Sequence, residues 1–109
     1  MNTKQTFEQQ VEDLKAQKRL PLGADTQFNR VVSSALGLEW STLRDLEQRI
    51  QTKFDAFDTQ PAISARLREV KPSNTGLVKQ RMCKHVNGKL VYYYRLVPAS
   101  MVTTLEEAA

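Results

Sequence analysis

The chain has 109 residues, is 40% hydrophobic and 26% charged, and carries a formal net charge of +4 at pH 7. That length builds one modest core rather than two. No apolar run approaches the ~20 residues of a membrane-spanning helix, Met1-Asn2-Thr3-Lys4-Gln5 lacks the apolar stretch of a signal peptide, and one cysteine, Cys83, excludes an internal disulfide and any multi-cysteine zinc site. A soluble protein of the cytoplasm, with no membrane partner, is the expectation.

The charge is unevenly spread. Residues 66–105 hold eight Lys or Arg against one acid, Glu69, whereas residues 1–65 hold eight basic and nine acidic residues. Such an asymmetry suits a nucleic-acid-binding surface, because phosphate neutralisation supplies most non-specific affinity.

In chain order, Phe7, Val11 and Leu14 recur at i, i+4, i+7 and predict an amphipathic helix over 6–19. Leu20-Pro21-Leu22-Gly23 breaks it. A second helix is expected over 26–36, capped by Asp25 or Thr26 and closed at Gly37 in a left-handed conformation. Its apolar positions Phe28, Val31, Val32 and Leu36 raise the alternative of a homodimer interface against that of the protein's own core. Trp40 is placed at the junction between this N-terminal helix pair and the rest of the chain. A third helix is expected over 41–54, with Ser41 as N-cap and Leu43, Leu46, Ile50 and Phe54 as its stripe. After a break at Asp55-Ala56-Phe57, Asp58 or Thr59 caps a fourth helix over 59–70, with Pro61 tolerated in its first turn. Ile63, Leu67 and Val70 line its buried face, leaving Ser64, Ala65 and Arg68 outward and Gln60 and Arg66 on the flanks.

Residues 71–76 read as a loop, and two strands come next, over 77–86 and 89–97. Asn87-Gly88 predicts a two-residue type I′ hairpin, because both central residues need φ > 0. That turn pairs Val86 with Lys89, Lys84 with Val91, Met82 with Tyr93 and Gln80 with Arg95. One face then carries Val78, Met82, Val91, Tyr93 and Val97, and the other carries Lys79, Arg81, Cys83 and His85 opposite Leu90, Tyr92, Tyr94 and Leu96. The second strand is apolar on both sides and reads as the inner one. Pro98 ends the sheet, and 103–109 is expected to fray.

Helices followed by a twisted hairpin are the order of a winged helix-turn-helix domain. The expected class is α+β, with an N-terminal helical extension at 1–38, the winged domain at 39–98 and a tail at 99–109. Arg66 and Arg68 can donate bidentately to guanine or clamp phosphate, and Gln60 can pair with the adenine edge. Thr59 and Ser64 are short donors. Lys71, Lys79, Arg81, Lys84, His85 and Lys89 would meet phosphates. Arg66 has an equal alternative, pairing with Asp45 or Glu47. The three consecutive tyrosines read mainly as β-formers that pack both faces, with Tyr94 bracing the reading helix.

Asp-Thr-Gln-Pro-Ala-Ile-Ser-Ala-Arg-Leu-Arg-Glu over 58–69, leading into a basic hairpin that ends Tyr94-Arg95-Leu96-Val97-Pro98, resembles the small winged-helix proteins of bacteriophages, prophages and plasmids. The resemblance spans about residues 41–98. It implies a mobile-element transcriptional regulator that reads double-stranded DNA with Thr59, Gln60, Ser64, Arg66 and Arg68, helped by Lys84 and Lys89 on the wing. The chain departs from that pattern at Pro61 and at Lys71-Pro72-Ser73. The rival reading is a phage-encoded inhibitor that docks on a host nuclease, including a CRISPR-type defence nuclease; an excisionase-like DNA bender is a third.

An enzyme is not expected. Cys83 and His85 share a strand face but no orienting third group accompanies them. The four glycines are isolated, so no phosphate-cradling loop is present. No cofactor is called for, and a single histidine leaves no metal ligand set.

Overall fold

A computed structural model describes residues 3–102. The expectation for 103–109 lies outside the described residues. The architecture is α+β: α1 (Thr3–Ala16), α2 (Gln27–Ala35), α3 (Leu43–Phe54), α4 (Gln60–Arg68) and the short α5 (Pro72–Thr75) precede β1 (Leu77–Val86) and β2 (Lys89–Pro98). A last helical turn covers 99–102.

Helices α2, α3 and α4 each start where a side chain can satisfy their first free N–H groups. Thr26 Oγ1 accepts from Asn29 N at 3.0 Å. At α3 the cap is Thr42, not the expected Ser41. Thr42 and Asp45 form a reciprocal capping box, with Asp45 N donating to Thr42 Oγ1 and Thr42 N to Asp45 Oδ2. Ser41 is unsuited because its backbone exchanges both hydrogen bonds with Tyr94, at 3.0 and 2.8 Å. Thr59 caps α4, with Pro61 in the first turn, where a missing N–H costs nothing.

Several expected boundaries change: α1 spans Thr3–Ala16 rather than 6–19, and α4 ends at Arg68 rather than Val70. Gly37 does not close α2 in a left-handed cap; Leu36 is extended, and Gly37 N donates to Leu96 O at 3.1 Å. The chain leaves α2 by joining the sheet. The segment expected to be a loop at 71–76 contains α5. Pro72 starts it, the Asn74 side chain accepts from Lys71 N at 3.0 Å, and left-handed Gly76 (φ 77°) ends it.

The hairpin keeps the expected register through its whole length, from Val86↔Lys89 to Leu77↔Pro98. Asn87 (φ 51°) and Gly88 (φ 78°) both adopt the positive φ of the turn. β2 is the inner strand, since its second edge is bridged by Leu36 at Leu96 and by Ser41 at Tyr94.

One core joins these elements. Leu14, Val31, Val32, Ala35, Leu46, Ile50, Ile63, Leu67, Val70, Leu77 and Leu96 form one buried cluster, and α2, α3 and α4 pack against one another. The cluster draws on both sides of the expected boundary at residues 38 and 39. Val31 and Val32 have no exposed surface, and Phe28 and Leu36 pack against the cluster. The α2 stripe is thus built into the protein's own core.

A buried ion pair ties α2 to the start of α4. Arg30 Nε and Nη2 donate to Asp58 Oδ2 and Oδ1, both at 2.8 Å, and Gln27 Nε2 donates to Oδ1 at 3.0 Å. The Arg30 hydrogen bonds hold the Asp58 carboxyl below its ordinary pKa against the opposing effect of burial, and Asp58 in turn raises Arg30. Asp58, an alternative cap for α4 on sequence grounds, serves as this anchor instead.

Candidate nucleic-acid interface

The start of α4 lies beside the hairpin face that continues from the core, where Gln60 borders one groove with Leu90, Tyr92 and Tyr94. Strand parity puts Leu77, Lys79, Arg81, Cys83 and His85 on that face with Leu90, Tyr92, Tyr94 and Leu96. Leu77 and Leu96 root it in the core, with Tyr94 packed beside them. Farther out the strands leave the core: Arg81, Cys83 and His85 are exposed, as are Leu90 and Tyr92.

Lys79, at the root of this face, feels two other cations, Arg81 on its own strand and Arg68 on α4. Burial first, and then the charges of Arg81 and Arg68, lower the pKa of Lys79 below the ordinary lysine range. Among the described residues no carboxylate lies within 4.0 Å of Arg68, Lys79 or Arg81; the ion pairs there are Lys15–Glu12, Arg30–Asp58 and Arg66–Glu69. Arg68 Nη1 donates to Ser64 Oγ at 3.3 Å, one helical turn back, so exposed Arg68 and half-buried Ser64 share one ridge.

The other expected contacts divide. Thr59 Oγ1 is engaged in capping, accepting from Ala62 N at 3.3 Å. Gln60 is half-buried and donates to Glu47 Oε1 at 3.1 Å. Arg66 pairs with neither Asp45 nor Glu47, the partners expected as its alternative. Asp45 accepts from Thr42 N and Glu47 from Gln60, and Arg66 pairs with Glu69 at the end of its own helix, at 2.9 Å. Its Nε is buried without a partner. Lys71 is exposed at the start of α5, beyond the end of α4.

The hairpin cations do not share one face. Lys79, Arg81 and His85 lie on the helix-proximal face, whereas Lys84 and Lys89 lie on the opposite one with Val91 and Tyr93. Each tyrosine carries a cation: Lys79 at 6.0 Å from the Tyr94 ring centre, Arg81 at 5.3 Å from Tyr92 and Lys84 at 5.1 Å from Tyr93. Tyr94 packs as expected, but Tyr92 is 42% exposed and does not fill a core. Trp40 sits at the junction under Arg95, whose guanidinium is 4.3 Å from the ring centre and also bonds Gln80 and the Leu38 carbonyl.

Sequence inspection missed Arg44. It is exposed on the first turn of α3, beside Gln60, Tyr92 and Tyr94 along a shallow groove. Only the fold brings these distant positions together, and no spacing rule in the sequence signals it. No helix among the described residues is long and apolar enough to cross a membrane. No family model, curated protein or solved structure matches the chain.

Proposed function

We propose that the protein is a winged helix-turn-helix DNA-binding protein that reads double-stranded DNA in a sequence-specific way, as a transcriptional regulator of a phage or other mobile element. The α3–α4 pair serves as the helix-turn-helix, α4 as the reader and the β1–β2 hairpin as the wing. Exposed Arg68 on α4 and exposed Arg81 beside half-buried Lys79 on the wing, with no carboxylate within 4.0 Å of any of them among the described residues, carry this reading. Like charges held together cost free energy in the free protein, and a polyanion seated there relieves that cost. Arg68 and Ser64 present the base-reading ridge. Lys79, Arg81 and His85 line the wing face toward α4, and Lys84 and Lys89 extend contact to the wing's other side.

The test is fluorescence anisotropy of the full chain with duplex DNA across a salt series. Affinity should fall steeply as salt rises, since each neutralised phosphate adds roughly 0.9 to the log–log slope. Binding unchanged between low and physiological salt would refute the proposal. Capture of a host nuclease that survives nuclease treatment, with no duplex binding, would favour the inhibitor reading.

A further inference from the structure

A shallow groove of about 280 Å³ runs between the first turns of α3 and α4 and the exposed half of the hairpin, lined by Leu43, Arg44, Gln60, Leu90, Tyr92 and Tyr94, among others. It is shallower and smaller than the ~300–1,000 Å³ clefts that enclose whole ligands, and a flat ring can lie along it. We infer that this groove takes one unpaired nucleobase, so that the protein prefers duplex DNA interrupted by an unpaired nucleotide. The inference rests on the DNA-binding reading.

Three observations carry it. First, Tyr92 is 42% exposed with the Arg81 guanidinium 5.3 Å from its ring centre, and Leu90 beside it is 47% exposed. An intact duplex hides the faces of its bases, so a ring displayed on a basic strand finds no stacking partner there. An unpaired base offers one, and the adjacent guanidinium adds cation–π and phosphate contact. Second, the groove holds an oriented amide. The amide of Gln60 donates to Glu47 at 3.1 Å, which fixes it and leaves its oxygen to accept from a base edge. Third, Arg44 and Arg81 are exposed and have no carboxylate within 4.0 Å among the described residues, so they are available for the flanking phosphates.

The experiment compares three labelled DNAs with the full chain at one salt concentration: a perfect duplex, the same duplex with one bulged 2-aminopurine, and the same duplex with an abasic bulge. The 2-aminopurine bulge should bind most tightly, with its fluorescence quenched by stacking. Tyr92→Leu should remove that advantage by roughly 5- to 150-fold, the range for losing one stacked base, while Tyr92→Phe keeps it. The readout is the ratio of bulged to perfect-duplex affinity within each protein, so a change in Arg81 contact that weakens both DNAs alike does not count. Equal binding of the perfect and bulged duplexes overturns the inference and leaves the DNA-binding reading standing. Equal binding of the abasic and 2-aminopurine bulges also overturns it, because flexibility rather than a base is then what is read. Failure to bind any of the three removes both readings.

Discussion

Replacing Asp58 with Ala should be among the most damaging changes away from the apolar core. Asp58 is 6% exposed and accepts three hydrogen bonds, two from Arg30 and one from Gln27. Removing the carboxylate leaves a guanidinium with its main partner gone. Breaking a buried pair from one side costs about 3–5 kcal/mol. Arg30 is 19% exposed and keeps its bond to the Ala24 carbonyl, which lets it recover some hydration. The low end, about 3 kcal/mol, is therefore expected. For a domain of this size that lowers Tm by roughly 12–24 °C. Chemical denaturation of wild type, Asp58→Ala, Arg30→Ala and the double variant gives the coupling energy directly. The pH dependence supplies a second check. The carboxyl pKa is depressed in the folded state, so its stabilisation is fully present above the unfolded value, ~3.9. It disappears as pH falls through the lower folded value. The gap between wild type and Asp58→Asn should thus be wide near neutrality and close in acid. A coupling energy near zero, or a gap that does not close, would refute the reasoning. Because Asp58 directly precedes the Thr59 cap, the same variant should also weaken DNA binding by loosening the start of α4.

Arg68→Ala should cost about 1–3 kcal/mol of affinity for a preferred DNA sequence and flatten the preference at one position, whereas Arg66→Ala, which loses a half-exposed pair with Glu69, should leave sequence preference unchanged; a selection experiment on randomised DNA separates the two. Gly76→Ala should destabilise by about 1–3 kcal/mol, since φ is 77° and a Cβ would sit 2.6 Å from Leu14 Cδ2. Gly88→Ala has a similar φ but open space around it, so its denaturation midpoint should drop less. Leu46→Ala, at a position with no exposed surface, should cost about 2–5 kcal/mol, measured by urea unfolding.

Short-range chemistry wrote much of this fold into the sequence. The apolar periodicities place α1 to α4 to within a few residues, and Asn87-Gly88 sets the hairpin register, because a two-residue type I′ turn leaves no freedom in which residues face each other. The outward positions of Ser64 and Arg68 follow from the same helical spacing. Tertiary structure decided what depends on partners far away in sequence. Ser41 and Thr42 both offer a capping hydroxyl; Asp45, three residues after Thr42, favours Thr42 locally, and the pairing of Ser41 with Tyr94 takes Ser41 into the sheet. Asp58 could cap a helix, but Arg30, 28 residues earlier, claims its carboxylate. Arg66 is open on sequence grounds to a partner on α3, but it pairs within its own helix with Glu69, three residues on. Alternation along the strands tells which hairpin residues share a face, yet not which face the helices cover or how far out the core extends. That boundary leaves Tyr92 exposed beside Arg81 while Tyr94, two residues on, is packed. A side chain's periodicity is local, whereas its partner is chosen by competition across the whole folded chain.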